Sequence, residues 1–189
     1  MTAAPPAEPL VARHFAGQDR RPARLADVAP DTLTAYHRCL LVTDGIVSSM
    51  IEALAQEPVV VDCLAQQEIL LADPDGCGWL QVRPGTAVVR RRVVIRGASS
   101  GIAYAQAESD LVARRLPPGF VDLLDGEPGG LGAALATGQV ESRNELLWFG
   151  LAAGEAAPEE AAGQPALVRS YRVFVGGRPT LLVTQSFPC

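Results

Sequence analysis

No lysine occurs anywhere in the 189 residues, and all 16 basic side chains are arginine. Schiff-base catalysis and the phosphate-binding lysine of P-loop proteins are therefore excluded. Any anion held by a charged side chain must be held by arginine, or by His14 or His37. The cysteines at 39, 63, 77 and 189 form no CxxC pair, so neither a zinc site nor a disulfide framework is expected, and they read as reduced thiols. The basic residues form no long run and net charge is −5, which disfavours a nucleic-acid footprint. No apolar stretch reaches the length of a membrane span, and the N-terminus lacks a signal-peptide layout. A cytoplasmic protein is expected. There is no GxGxxG and no βαβ rhythm, so a dinucleotide fold is disfavoured.

Hydrophobic content is 48%, a globular composition, and the length suits one domain over residues 10–189 behind a disordered lead-in over 1–9. From Asp31 to about Glu57 the pattern is helical. Leu33, Tyr36, Leu40 and Leu41 recur at helix spacing, Thr43-Asp44-Gly45 interrupts, and Val47, Met50, Ile51 and Leu54 share one side of a second helix. Residues 58–71 read as a strand and Asp73 to Gly78 as a turn cluster. Ile102 to Ser109 reads as a strand. Short helices broken by Pro and Gly follow, Glu141 to Phe149 looks helical, and residues 152–165 look like a surface linker. Leu167–Val175 and Thr180–Phe187 flank Gly176-Gly177-Arg178-Pro179, a strong turn signal. Helices, then strands, a mixed middle and a final hairpin give an α+β fold. Its antiparallel sheet should carry helices packed to one side.

The clearest strand runs from Ala87 to Arg96. Val89, Arg91, Val93 and Ile95 share one face; Val88, Arg90, Arg92, Val94 and Arg96 share the other, expected to meet solvent. Arg91 thus sits in an apolar row, which is costly unless something anionic meets it. That partner is either a ligand or an internal acid such as Glu108 or Glu68. Gln185 is likewise a polar residue in the row Leu181, Val183, Phe187. Arg169 and Arg172 fall on opposite faces of their strand and read as surface residues. Glu141, Arg143 and Glu145 read as a solvated charge run.

Four segments carry a resemblance: LLVTDGIVSSMIEAL from Leu40, VVRRRVVIRG from Val88, YAQAESDLVARRLP from Tyr104, and RSYRVFVGGRPTLLVTQSFP from Arg169. In this order they resemble the chorismate pyruvate-lyase family, in particular its short actinobacterial and cyanobacterial branch. The resemblance implies a sheet of about six antiparallel strands, with helices enclosing an internal pocket. It implies conversion of chorismate to 4-hydroxybenzoate and pyruvate, without a cofactor or metal. The family's carboxylate-binding arginine falls on Arg91, its pocket leucine near Leu116 and the hydrophobic residue of the opening helix break near Ile46. Its active-site glutamate falls on Gln185, a departure that replaces an acid–base group with a neutral amide. Glu108 is the nearest candidate replacement acid. The expected partner is a small carboxylic acid, with neither nucleic acid nor membrane; oligomeric state is not indicated. Two alternatives stay open: a diverged member performing another rearrangement or cyclisation of an acidic metabolite, and a non-catalytic acid-binding module.

Overall fold

Alternating side chains let a strand present one face to a core and the other elsewhere, and six such strands build this protein. The structure is a computed structural model that describes residues 11–153 and 165–189. The lead-in expected over 1–9, and most of the linker expected over 152–165, lie outside the described residues. In chain order the elements are α1 (Ala35–Val42), α2 (Val47–Ala55), β1 (Val59–Leu71), α3 (Pro74–Leu80), β2 (Thr86–Gly97), β3 (Ala103–Leu111), α4 (Phe120–Gly126), α5 (Gly130–Thr137), β4 (Ser142–Ala152), β5 (Ala166–Val175) and β6 (Arg178–Pro188). The strands form one antiparallel sheet in the order β1-β2-β3-β6-β5-β4. This is the α+β architecture expected from the sequence. Gly176 and Gly177, at φ +56° and +74°, make the two-residue turn between β5 and β6 that residues with a Cβ resist.

Helices α1, α2, α4 and α5 pack on one face of the sheet. Leu40, Leu41, Val47 and Ile51 meet Ile95, Leu167 and Phe187 there. Beside them Phe120, Leu124 and Leu135 meet Val173, Leu181 and Val183. Leu54, read as part of the apolar side of α2, is exposed.

The opposite face is not left to solvent as expected for the arginine-rich side of β2. Val88 and Val94 are buried. The cover comes from α3, whose Cys77 and Leu80 pack with Val88, Val112 and Leu182. Residues 73–78 had read as a turn. They form α3 because Asp73 caps it, its Oδ2 accepting from the Gly76 N–H at 2.6 Å, and Pro74 supplies the first-turn φ. Local capping outweighs the low helix propensity of Gly76 and Gly78.

The stretch from Glu141 to Phe149 is the edge strand β4, not a helix. Its period is masked by a bulge: Leu146 pairs with Tyr171 and Trp148 with Ser170, so Leu147 is an extra residue. Arg143 and Glu145 then fall on one face, and Glu145 pairs with Arg172 at 2.6 Å instead of lying solvated.

The outer edge of β4 is closed by the N-terminal segment. Ala16 and Gly17 donate to the Leu146 and Leu147 carbonyls, and Ala26 and Leu151 exchange a pair of main-chain bonds. Between them the Gln18 side chain bonds both the N–H and the C=O of Phe149 at 2.9 Å, as a neighbouring strand would.

Candidate functional site: a cavity between the sheet and helices α2 and α5

The centre of the sheet is floored by small residues. Ala107 and Ser109 of β3 lie between Arg91 and Val93 on β2 and Val183 and Gln185 on β6. The roof sets Gly129, Gly130 and Gly132 at the start of α5 against Ile46 to Ser48 at the start of α2. Gly130 has φ +74°, and a Cβ there would approach Val61 to 3.1 Å; one on Gly132 would approach Ile46 to 3.2 Å. The short floor and the glycines of the roof leave a cavity of about 310 Å³, at the lower end of the range for small-ligand sites.

The electrostatics of this cavity favour anions. Neither α2 nor α5 has a side-chain cap at its N-terminus, and the first turns of both border the cavity. Helix N-termini carry a partial positive charge and unpaired N–H groups. Arg91 lines the cavity and is 6% exposed. Its Nη1 donates to Gln66 Oε1 at 2.5 Å and to Asp125 Oδ1 at 2.6 Å, while Gln66 Nε2 donates to the other Asp125 oxygen at 2.9 Å. Arg91 therefore has an internal acid, but it is Asp125 of α4, neither Glu108 nor Glu68. Both of its bonds use one nitrogen; Nε and Nη2 have no hydrogen-bond partner among the described residues. The acid among the lining residues is Asp44, exposed in the α1–α2 loop, whose carbonyl accepts from Asn144.

Gln185 lines the same cavity and is 6% exposed. Its Oε1 accepts from Arg169 Nε at 2.9 Å. Arg169, read from sequence as a surface residue, is one of the largest fully buried side chains. Its Nη1 donates to the carbonyls of Leu40, Leu41 and Thr43, the C-terminal end of α1. Burial lowers its pKa to about 10, so it stays charged at neutral pH. Tyr171, another lining residue, stacks against Arg169 with 5.1 Å from guanidinium to ring centroid. Burial pushes the Tyr171 phenol above its usual pKa, which keeps it neutral.

Of the residues singled out in the sequence, Arg91, Gln185 and Ile46 line this one cavity. Leu116 does not; it is buried beside the cavity with Phe120 and Leu124. Glu108 lies on the other face of the sheet, because it stands opposite Arg92 in the β2–β3 register and alternation turns both away from Arg91. It borders a separate cavity of about 220 Å³ and lies 3.8 Å from Arg90, which is held at 2.7 and 2.8 Å by Asp110. Glu108 cannot reach Arg91 from there.

Residues 41–189 match the family model described as chorismate pyruvate-lyase Rv2949c-like, and the chain belongs to that family. It is 28% identical to a chorismate pyruvate-lyase of Mycobacterium leprae (strain TN) over 159 residues, covering 79% of this chain and 72% of the relative. A chorismate pyruvate-lyase of Mycobacterium tuberculosis (strain ATCC 25618 / H37Rv) is 27% identical over 158 residues, covering 79% and 78%. Among solved structures, the effector domain of PhnF from Mycobacterium smegmatis superposes with TM-score 0.59 at 16% identity, over 76% of this chain and 88% of that one. The C-terminal domain of a histidine utilization repressor from Pseudomonas syringae pv. tomato superposes with TM-score 0.51 at 17% identity, over 69% and 91%. At these identities the structural matches speak to the fold alone.

Proposed function

We propose that this chain is a cytoplasmic enzyme that converts chorismate to a hydroxybenzoate and pyruvate in the cavity beneath α2 and α5. The observation that carries the reading is Arg91, sunk in an apolar wall with Nε and Nη2 left over, in a cavity bordered by two uncapped helix N-termini. A guanidinium grips a carboxylate with parallel hydrogen bonds, and chorismate carries one on its ring. Ile46 and the neighbouring apolar side chains wall the ring, and Gln185 contacts its far substituents.

The reaction breaks the ether bond between ring carbon and enolpyruvyl oxygen. It also removes the hydrogen from the adjacent hydroxyl-bearing carbon, so the ring becomes aromatic. Gln185 carries no titratable proton, so a carboxylate-assisted elimination lacks its base at this position. The intramolecular route suits the site better. The ring hydrogen passes to the enolpyruvyl methylene, which becomes the pyruvate methyl, while the ether electrons form the pyruvate carbonyl. That route asks the protein to orient and enclose the substrate.

The test is incubation with chorismate, with pyruvate and hydroxybenzoate followed by chromatography. Stoichiometric release of both, lost in Arg91→Ala, is expected. Absence of pyruvate at high enzyme concentration defeats the lyase reading. The Gln185 amide then favours a member acting on another acid, or a binding module.

A further inference from the structure

The face of the sheet under α3 carries polar side chains where a packed core would be apolar. Arg90, Asp110, Thr184 and Ser170, one from each of four neighbouring strands, line the cavity of about 220 Å³ there. Asp110 and Ser170 are 7% and 1% exposed. The other walls come from α3, with Asp73, Asp75 and Trp79, and from the N-terminal segment, with Arg20 and Arg24. At about 30 Å³ per water, the space equals roughly seven waters.

Pairing the charges leaves a remainder. Arg20 takes Asp75 at 3.1 Å, and Arg90 takes Asp110 through two bonds. Two carboxylates are left over: Glu108, 3.8 Å from the already paired Arg90, and Asp73, which spends only Oδ2 on the Gly76 N–H. The Asp110 hydrogen bonds, with Glu108 and Asp73 nearby, hold Arg90 above its ordinary pKa against the opposing effect of burial. Against these acids the lining offers one more guanidinium, Arg24, exposed and without a partner among the described residues. The balance calls for a ligand with a positive group. A metal ion does not fit, because no three His, Cys, Asp or Glu among the described residues are grouped to hold one. An ammonium does: it donates three hydrogen bonds, and indole rings attract it.

Trp148 points to a ligand independently. It is 6% exposed and lines the cavity, and its indole N–H donates to no group among the described residues. Buried donors seek acceptors, and the cavity is the space from which one can come. Trp79 already has Arg20 over its ring at 4.0 Å, whereas no cation lies over Trp148 among the described residues.

We infer that this cavity is a second binding site, built for a small zwitterion of the α-amino acid class: Glu108 and Asp73 take its ammonium, and Arg24 with the Trp148 N–H takes its carboxylate. Leu182 and the Trp148 ring offer an apolar wall to a short aliphatic side chain. Glu108, turned away from Arg91, thereby has a role of its own. The site is independent of whatever Arg91 binds, since alternation sends Arg90 and Asp110 to one face of the sheet and Arg91 and Ser109 to the other.

Both tryptophans of the chain line this cavity, so their fluorescence reports its occupancy. The experiment titrates the whole chain with leucine and with two relatives that each keep one of its charges, isoamylamine and isocaproate. Leucine should change the emission saturably, and each relative should bind about tenfold more weakly, having lost one charge-assisted contact. Glu108→Gln and Arg24→Ala, both at exposed positions, should each weaken leucine about tenfold while unfolding in urea as the wild type does. Arg91→Ala should bind leucine unchanged. No saturable response to leucine up to its solubility limit overturns the inference, and so does a relative that binds as tightly as leucine. Unchanged leucine affinity in both Glu108→Gln and Arg24→Ala, or its loss in Arg91→Ala, puts the ligand elsewhere and overturns it as well.

Discussion

Two arginines on the same face of one sheet meet opposite fates. Arg91 is tied by side chains, Gln66 and the half-exposed Asp125, through a single nitrogen. Arg169 is tied chiefly by main-chain carbonyls at the end of α1 and by Gln185. Side-chain partners can shift when a ligand arrives, whereas carbonyls at a helix end cannot leave without unwinding it. One arginine is therefore suited to exchange partners, and the other to hold its neighbours still. Burial alone does not separate them, since both are nearly inaccessible; the chemistry of the partners does.

The largest expected effect comes from Arg169→Met. It strands buried carbonyls and the Gln185 amide, each costing about 1–3 kcal/mol, so unfolding in urea should show a loss of about 4 kcal/mol. A loss below about 1 kcal/mol would erase the distinction between the two arginines. Arg91→Ala should instead leave the urea midpoint nearly unchanged and weaken benzoate binding by about 2 kcal/mol, roughly 30-fold. Normal benzoate affinity in that variant would make Arg91 a structural ion-pair residue. Asp125→Asn keeps the shape of its contact and removes a competing charge. Because that carboxylate is 47% exposed and screened, the gain in benzoate affinity should stay within about 1 kcal/mol. A loss of affinity would mean that Asp125 is needed to aim Arg91.

A smaller effect, remote from both arginines, concerns Glu57. The Ser100 hydroxyl, helped by the Ser99 and Ser100 N–H groups and the Tyr104 hydroxyl, holds its pKa near 2, against an ordinary 4.5. A depressed carboxyl stabilises the fold above its ordinary value, and that contribution fades as pH falls through the folded value. Amide exchange at Ser99 and Ser100 should therefore quicken, relative to the sheet, as pH falls from about 4.5 to about 2. Glu57→Gln should flatten that dependence.

The sheet was legible wherever alternation ran unbroken. β2 and the stretch of β6 from Leu181 to Phe187 kept their period, and Arg91 and Gln185 stood out for that reason. The bulge at Leu147 hid β4. A second bulge, between Val173 and Phe174, hid the partner of Gln185. Counting back from the Gly176-Gly177 turn pairs Gln185 with Val168; the inserted residue shifts the register and brings Arg169 opposite instead. Asp125 and Gln66 were missed because they reach Arg91 from another helix and strand, a meeting that no local spacing encodes. Glu108 falls on the far face because the β2–β3 register sets it opposite Arg92, and no local spacing encodes that register.

The sheet's two borders also differ. Along β1, Val60, Leu64 and Leu70 are exposed, whereas β4 is bound off by residues 16–26 and the strand-like grip of Gln18 on Phe149. Open strand edges recruit other chains. The N-terminal segment is thus a selvage that stops the fabric from being extended at that border. A chain trimmed past Ala26 should keep its cavity residues yet acquire a new tendency to join its own copies through β4.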